Sequence, residues 1–145
     1  MEPSQKAIQY HDAGCNCAQA VFAAFAERFD IPFPQAMKLA ASFGGGMGRQ
    51  GEVCGAITGA LMVLGLTYGA STPDDRESKL LAYRKASDFI EEFRRRQGEI
   101  HCRALLGVDI STEEGWRQAR ETGRFKTVCT PLIESAAVIL EEMIR

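Results

Sequence analysis

None of the five cysteines in this chain stands in a Cys-x-x-Cys pair, which excludes the thioredoxin active-site pattern and the paired knuckles of a zinc ribbon. Cys-x-x-Cys-His is missing too, so there is no signal for covalent haem attachment. An odd number of cysteines excludes complete pairing within one chain. Histidine occurs only at His11 and His101, in no metal-ligand spacing, and both are expected at the surface. Neither sign of charge is in excess. With 17 basic and 19 acidic residues the net charge is −2, which offers no global attraction to nucleic acid or acidic lipid. Strict polar/apolar alternation, hairpin dipeptides, repeats, low-complexity tracts and linkers are all lacking, so no sheet and no array architecture is expected. The opening segment MEPSQKAIQYHD has no apolar stretch or cleavage site of the secretory kind. The expected compartment is a reducing cytoplasm, where persistent structural disulfides are not expected.

What is present is helical periodicity nearly throughout 145 residues, a length suited to one core. The expected class is all-α: a single-domain helical bundle spanning residues 1–145 with a buried, glycine-rich central helix. Helices are expected near residues 3–13, from Asn16 to about Phe29, and from about Pro34 to the glycines after Phe43. Further helices should run from Glu52 to Tyr68, from a Thr72 cap with Pro73 in the first turn, over Cys102–Leu106, from Asp109–Thr112 to Gly123, and from Thr130-Pro131 onward. In the long fifth helix Ala82, Ala86, Phe89, Ile90 and Phe93 share one apolar face. The fourth contains no charge from Val53 to Pro73, close to the ~20 residues that span a bilayer. Its glycines and the charged faces of the other helices favour a central soluble helix. Gly55 and Gly59 form a G-x-x-x-G pair that permits close backbone approach by a neighbouring helix or a cofactor, or by a second copy in a homodimer.

Four cysteines each open an apolar helical stripe: Cys17 before Val21, Ala24 and Phe25; Cys54 before Ile57 and Leu61; Cys102 before Leu105 and Leu106; Cys129 before Leu132 and Ile133. Free N–H groups and the positive dipole end at a helix start favour thiolate. Repetition at helix starts is what separates these thiols from ordinary buried cysteines. Cys15 lies outside the second helix's stripe and is expected to be an exposed thiol or a local redox neighbour. The segment Gly44 to Gly51 contains a literal G-x-G-x-x-G, but without the preceding strand of a dinucleotide site. It reads as a tight connection whose N–H groups, with Arg49, face an anion or an anionic cluster. Gly46, Gly48, Gly51, Gly55 and Gly59 are the candidate cofactor-contacting positions.

Asn16-Cys17-Ala18-Gln19-Ala20-Val21, Phe43-Gly44-Gly45-Gly46-Met47-Gly48, Gly51 to Gly59 with its Cys-Gly-Ala-x-x-Gly core, Cys102 with Leu105-Leu106-Gly107, and Cys129 together resemble the C-GCAxxG-C-C family of proteins described as redox-active. The resemblance covers almost the whole chain and maps the four signature cysteines onto Cys17, Cys54, Cys102 and Cys129. It implies a small helical redox protein and, through a related domain in a multihaem cytochrome, iron-sulfur chemistry. Two chemistries follow for these four cysteines. In one they hold zinc or an iron-sulfur cluster for electron transfer. In the other they exchange thiols and disulfides, with Cys54 the foremost nucleophile, acting on a redox partner protein or a small oxidant. A structural or partner-binding bundle is the remaining alternative.

Overall fold

The computed structural model describes residues 1–144. Eight helices build it: α1 Pro3–Asp12, α2 Cys17–Ala26, α3 Phe33–Ala40, α4 Gly55–Tyr68, α5 Arg76–Gln97, α6 Cys102–Leu106, α7 Glu113–Glu121 and α8 Cys129–Ile144. Single helical turns at Glu27–Phe29, Ala41–Phe43 and Arg124–Thr127 link them. The class is all-α. Among the described residues the extended pairing is one isolated antiparallel bridge, Val53 with His101.

α2 is the hub. All its residues except Cys17 and Gln19 are buried, and a helix apolar on every side belongs inside a core. It packs against α1, α3, α4 and α8. Alanines dominate it, so the partner backbones come close. A Cβ placed on Gly59 would stand 2.6 Å from the Ala18 carbonyl oxygen, and one on Gly55 3.0 Å from the Ala18 nitrogen. The G-x-x-x-G face of α4 is therefore consumed within the chain and is not free for a second copy. The far end of α4 is open: Gly65, Leu66 and Thr67 are exposed, so this helix is enclosed on one face rather than all round. Among the described residues no helix is long and apolar enough to cross a membrane. α5 buries Phe89 and Phe93 toward α4 and α8.

Three helix starts differ from the expected ones. α5 is capped by Asp75, whose carboxylate accepts from the Ser78 N–H at 3.1 Å. Thr72 and Pro73 instead form a preceding turn, in which the Asp75 N–H donates to the Thr72 carbonyl at 3.3 Å. A carboxylate reaching the N3 amide satisfies a free donor, and this moves the start three residues on. α4 begins at Gly55 rather than Glu52, because the backbone of Glu52 and Cys54 is bonded to that of residues 100 and 102. α8 begins at Cys129, one residue before Thr130.

The glycine-rich segment is a left-handed turn, a tight connection as expected. Gly45, Gly46, Met47, Gly48 and Arg49 all have φ between 62° and 67°, a region costing an L residue roughly 1–2 kcal/mol. Glycine avoids that cost at three of the five; Met47 and Arg49 bear it. The Gly51 and Glu52 N–H groups close the turn onto the carbonyls of Gly45 at 3.2 Å and Gly46 at 3.0 Å.

Apolar packing falls into two clusters. The larger gathers α1 to α5 and α8 and includes Cys15 and Cys54. The smaller comprises Cys102, Leu106, Ile110, Ala119 and Cys129. Cys17 borders both, so the thiols mark the seam.

Candidate functional site

Asn16 sets the position of Cys17. Its side-chain oxygen accepts from the Gln19 N–H at 2.9 Å, and the Gln19 side chain accepts from the Asn16 N–H at 3.0 Å. This reciprocal capping box makes Cys17 the first residue of α2. The Asn16 amide also donates to the Ala41 carbonyl at 3.1 Å, and that of Gln19 to the Met37 carbonyl at 3.0 Å. The helix start is thus tied to α3 and to the turn that follows it.

Cys54 and Cys102 are placed by the bridge. The Cys54 N–H donates to the Ile100 carbonyl at 2.8 Å, and the Cys102 N–H to the Glu52 carbonyl at 2.6 Å. The glycine turn closes over them: a Cβ on Gly46 would lie 2.7 Å from the Cys102 Cβ and 2.6 Å from the Glu52 nitrogen. Arg103 adds a bond from its guanidinium to the Gln50 carbonyl at 3.2 Å. Cys129 comes from the start of α8, held by the smaller cluster.

Cys17, Cys54, Cys102 and Cys129, together with Cys15, line one cavity of about 750 Å³. All five are free thiols. Leu105, Leu106, Ile110 and Leu132 supply apolar wall, while Arg49, Trp116, Phe125, Lys126, His11 and Asp12 also line it. Arg49 lies over the Trp116 ring, 3.4 Å from its centroid, and Trp116 packs on Phe125 at 4.7 Å.

The thiols sense one another, and burial opposes the helix-start effect. Interaction with the neighbouring Cys129 thiol, and burial after it, hold the Cys17 proton well above the usual thiol range. Cys129 is lowered by the same interaction, which outweighs its own burial. Burial pushes Cys54 up to about 12, although the N–H groups of Ala56 and Ile57 pull it down. Burial, with the nearby Cys129, lifts Cys102 to about 11. Three of the four signature thiols are therefore raised; the one lowered is Cys129, and its helper is Cys17. At Cys54 and Cys102 desolvation outweighs the helix-start effect because these starts are inside the protein. Cys54 is consequently not the most readily ionised of the four. Among the described residues no three His, Cys, Asp or Glu side chains are gathered closely enough to hold one metal ion.

Of the five glycines expected to contact a cofactor, Gly46, Gly48 and Gly55 line the cavity. Gly51 does not; it packs on Arg103, whose Cβ would be 3.0 Å from its own. Gly59 serves the α2–α4 contact instead. Cys15 is buried rather than exposed, and its thiol donates to the Met37 sulfur at 3.4 Å. His101 points away, exposed and bonded to Glu99. His11 borders the cavity, 3.2 Å from the Thr130 hydroxyl. Trp116, Phe125 and Lys126 are not among the expected site residues: Trp116 is remote from any cysteine in sequence, and Phe125 and Lys126, just before Cys129, sit in a short turn that carries no recognisable motif.

Residues 15–143 match the family described as "Putative redox-active protein (C_GCAxxG_C_C)". The chain belongs to that family. All four signature cysteines of the C-GCAxxG-C-C pattern, and Cys15 at its edge, lie inside the matched span. An uncharacterized protein of Archaeoglobus fulgidus is 29% identical over 134 residues, covering 83% of this chain and 88% of its own length. No solved structure matches this C-GCAxxG-C-C protein.

Proposed function

We propose that Cys17, Cys54, Cys102 and Cys129 hold an iron-sulfur cluster and that the protein transfers electrons. The observation that carries this is the meeting of four free thiols, each at a helix start, on the wall of one cavity at a seam between two apolar clusters. Four sulfurs around a tetrahedral zinc, with bonds of roughly 2.3 Å, would sit only about 3.8 Å from one another. Here the thiols surround a space instead of converging on one point, an arrangement that favours several irons over a single zinc. Such a cluster, when bound, supplies one-electron oxidation and reduction. The chain's own part is to exclude water and to stabilise thiolate. The Ala56 and Ile57 N–H groups already act on the Cys54 sulfur, and burial keeps the others dry. Five unpaired thiols suit a reducing cytoplasm, which we take as the working compartment.

A second function is favoured by the Cys17–Cys129 pair. Cys129, the lowered thiol, would attack one sulfur of a substrate disulfide and expel the other as thiolate. Cys17 would then attack the Cys129 sulfur, releasing the second substrate thiolate. The two protein thiol protons end on the two released thiols, so one disulfide is reduced as one forms.

Anaerobic purification with a visible spectrum and iron, zinc and sulfide analysis decides between these. Stoichiometric iron and labile sulfide support the cluster. Stoichiometric zinc, or a metal-free protein that loses thiols in pairs on mild oxidation, contradicts it.

A further inference from the structure

We propose that the mouth of the thiol cavity binds a small organic anion, an aliphatic carboxylate whose charged end pairs with Arg49 while its apolar body lies along Leu105, Leu106, Ile110 and Leu132. The inference deepens the redox function, since it names what approaches that site. At about 750 Å³ the cavity is within the roughly 300–1,000 Å³ of small-molecule pockets.

Arg49 is the unanswered charge of this cavity. Among the described residues it makes no ion pair and no side-chain hydrogen bond. Lys126, the other full cation on the wall, faces Asp12 at 3.4 Å. His11 is held by Thr130, and burial shifts its titration downward, against the charged form. Stacking on Trp116 fixes the guanidinium plane and leaves its N–H edge open, which suits a planar, singly charged carboxylate received by two parallel bonds. A phosphate would bring a second charge with no second free cation. The backbone also bears strain here: Arg49 holds φ 65° in a turn otherwise served largely by glycine, and strain of this kind persists where the surroundings dictate a side chain's position.

Trp116 is the sole tryptophan, so its emission reports on the mouth. Hexanoate, hexanamide and inorganic phosphate are titrated into the purified protein, with calorimetry as a second readout. Hexanoate is expected to bind saturably, and hexanamide and Arg49→Gln each to weaken binding about tenfold or more, as loss of a charged hydrogen bond implies. Arg49→Lys should fall between, and Lys79→Gln, on α5 and outside the cavity wall, should leave hexanoate binding unchanged. Bound hexanoate should also slow alkylation of the metal-free cavity thiols by uncharged iodoacetamide. Equal binding of hexanoate and hexanamide, tighter binding of phosphate, unchanged binding in a folded Arg49→Gln variant, or no saturable binding overturns the proposal. Iron is measured on the same samples. An iron-free protein that binds hexanoate through Arg49 defeats the cluster alone, and an iron-loaded protein indifferent to hexanoate defeats the anion site alone.

Discussion

Val53 and His101 face each other across an isolated antiparallel bridge, and that pairing turns Cys54 and Cys102 to the same side. Side chains alternate along extended backbone, so the residue after each bridge partner leaves from the face opposite Val53 and His101. The two flanking bonds, Cys54 to Ile100 and Cys102 to Glu52, lock the register. Diagonal neighbours of this kind lie roughly 7–8 Å apart, beyond the roughly 3.5–4.5 Å between Cβ atoms that a disulfide needs. Mild oxidation of the metal-free chain is therefore expected to join Cys17 to Cys129 and not Cys54 to Cys102. Peptide mapping by mass spectrometry checks this, and a dominant 54–102 link would contradict the geometry.

Thiol reactivity should follow burial and pairing rather than helix starts alone. In the metal-free, reduced protein at neutral pH, iodoacetamide is expected to modify Cys129 first, with Cys102, Cys54 and Cys17 behind it, since thiolate is the reacting form and only Cys129 is lowered. Cys17→Ala removes the interaction that lowers Cys129. Labelling of Cys129 should then slow, and the pH at which it half-ionises should rise.

Packing on α4 distinguishes two glycines on one helix. Gly59→Ala forces a methyl onto the Ala18 carbonyl and should cost about 1–3 kcal/mol in urea unfolding. Gly65→Ala meets nothing within 4 Å and should be neutral or stabilise by up to about 1 kcal/mol through helix propensity. Equal effects at both positions would mean that α4 does not lie on α2 as described.

Much of this architecture is legible in the sequence because its signals are local. Asn16 marks the start of the second helix, and the apolar stripes behind the four cysteines place each thiol at a helix start. Asp75 is missed because Thr72-Pro73 is an equally good local start, and only the Ser78 contact separates them. The Val53–His101 bridge is invisible because a single non-local pair leaves no alternation to count. The left-handed turn has its glycines in plain view, yet Met47 and Arg49 adopt it against their own preference, which only tertiary packing can impose. For the same reason Cys54 looks like an activated thiol until its burial is known.

Acid should weaken the fold through exposed carboxylates. Hydrogen bonds from Arg95 and Arg96 hold Glu92 at about 2, and those from the Ile100 amide and His101 hold Glu99 at about 2. Asp75 is lowered by the Ser78 bond and Asp109 by Ser111. All four have folded values below their unfolded ones. Their contribution is thus complete above the ordinary carboxylate range near 4.5 and is lost as pH falls toward 2. Thermal melts between pH 6 and 2 should show the decline, and Glu92→Gln should flatten part of it. Added salt should shrink the difference between the two proteins, as solvent-exposed charge pairs are screened.

The most direct test of the central claim is bound iron and labile sulfide per chain in five anaerobically prepared variants, Cys15, Cys17, Cys54, Cys102 and Cys129 each changed to alanine. Loss of iron and of visible absorption is expected in the last four, with Cys15→Ala retaining both. A folded Cys17, Cys54, Cys102 or Cys129 variant that keeps the full complement, or a wild-type protein that holds none, would contradict a four-cysteine iron-sulfur centre.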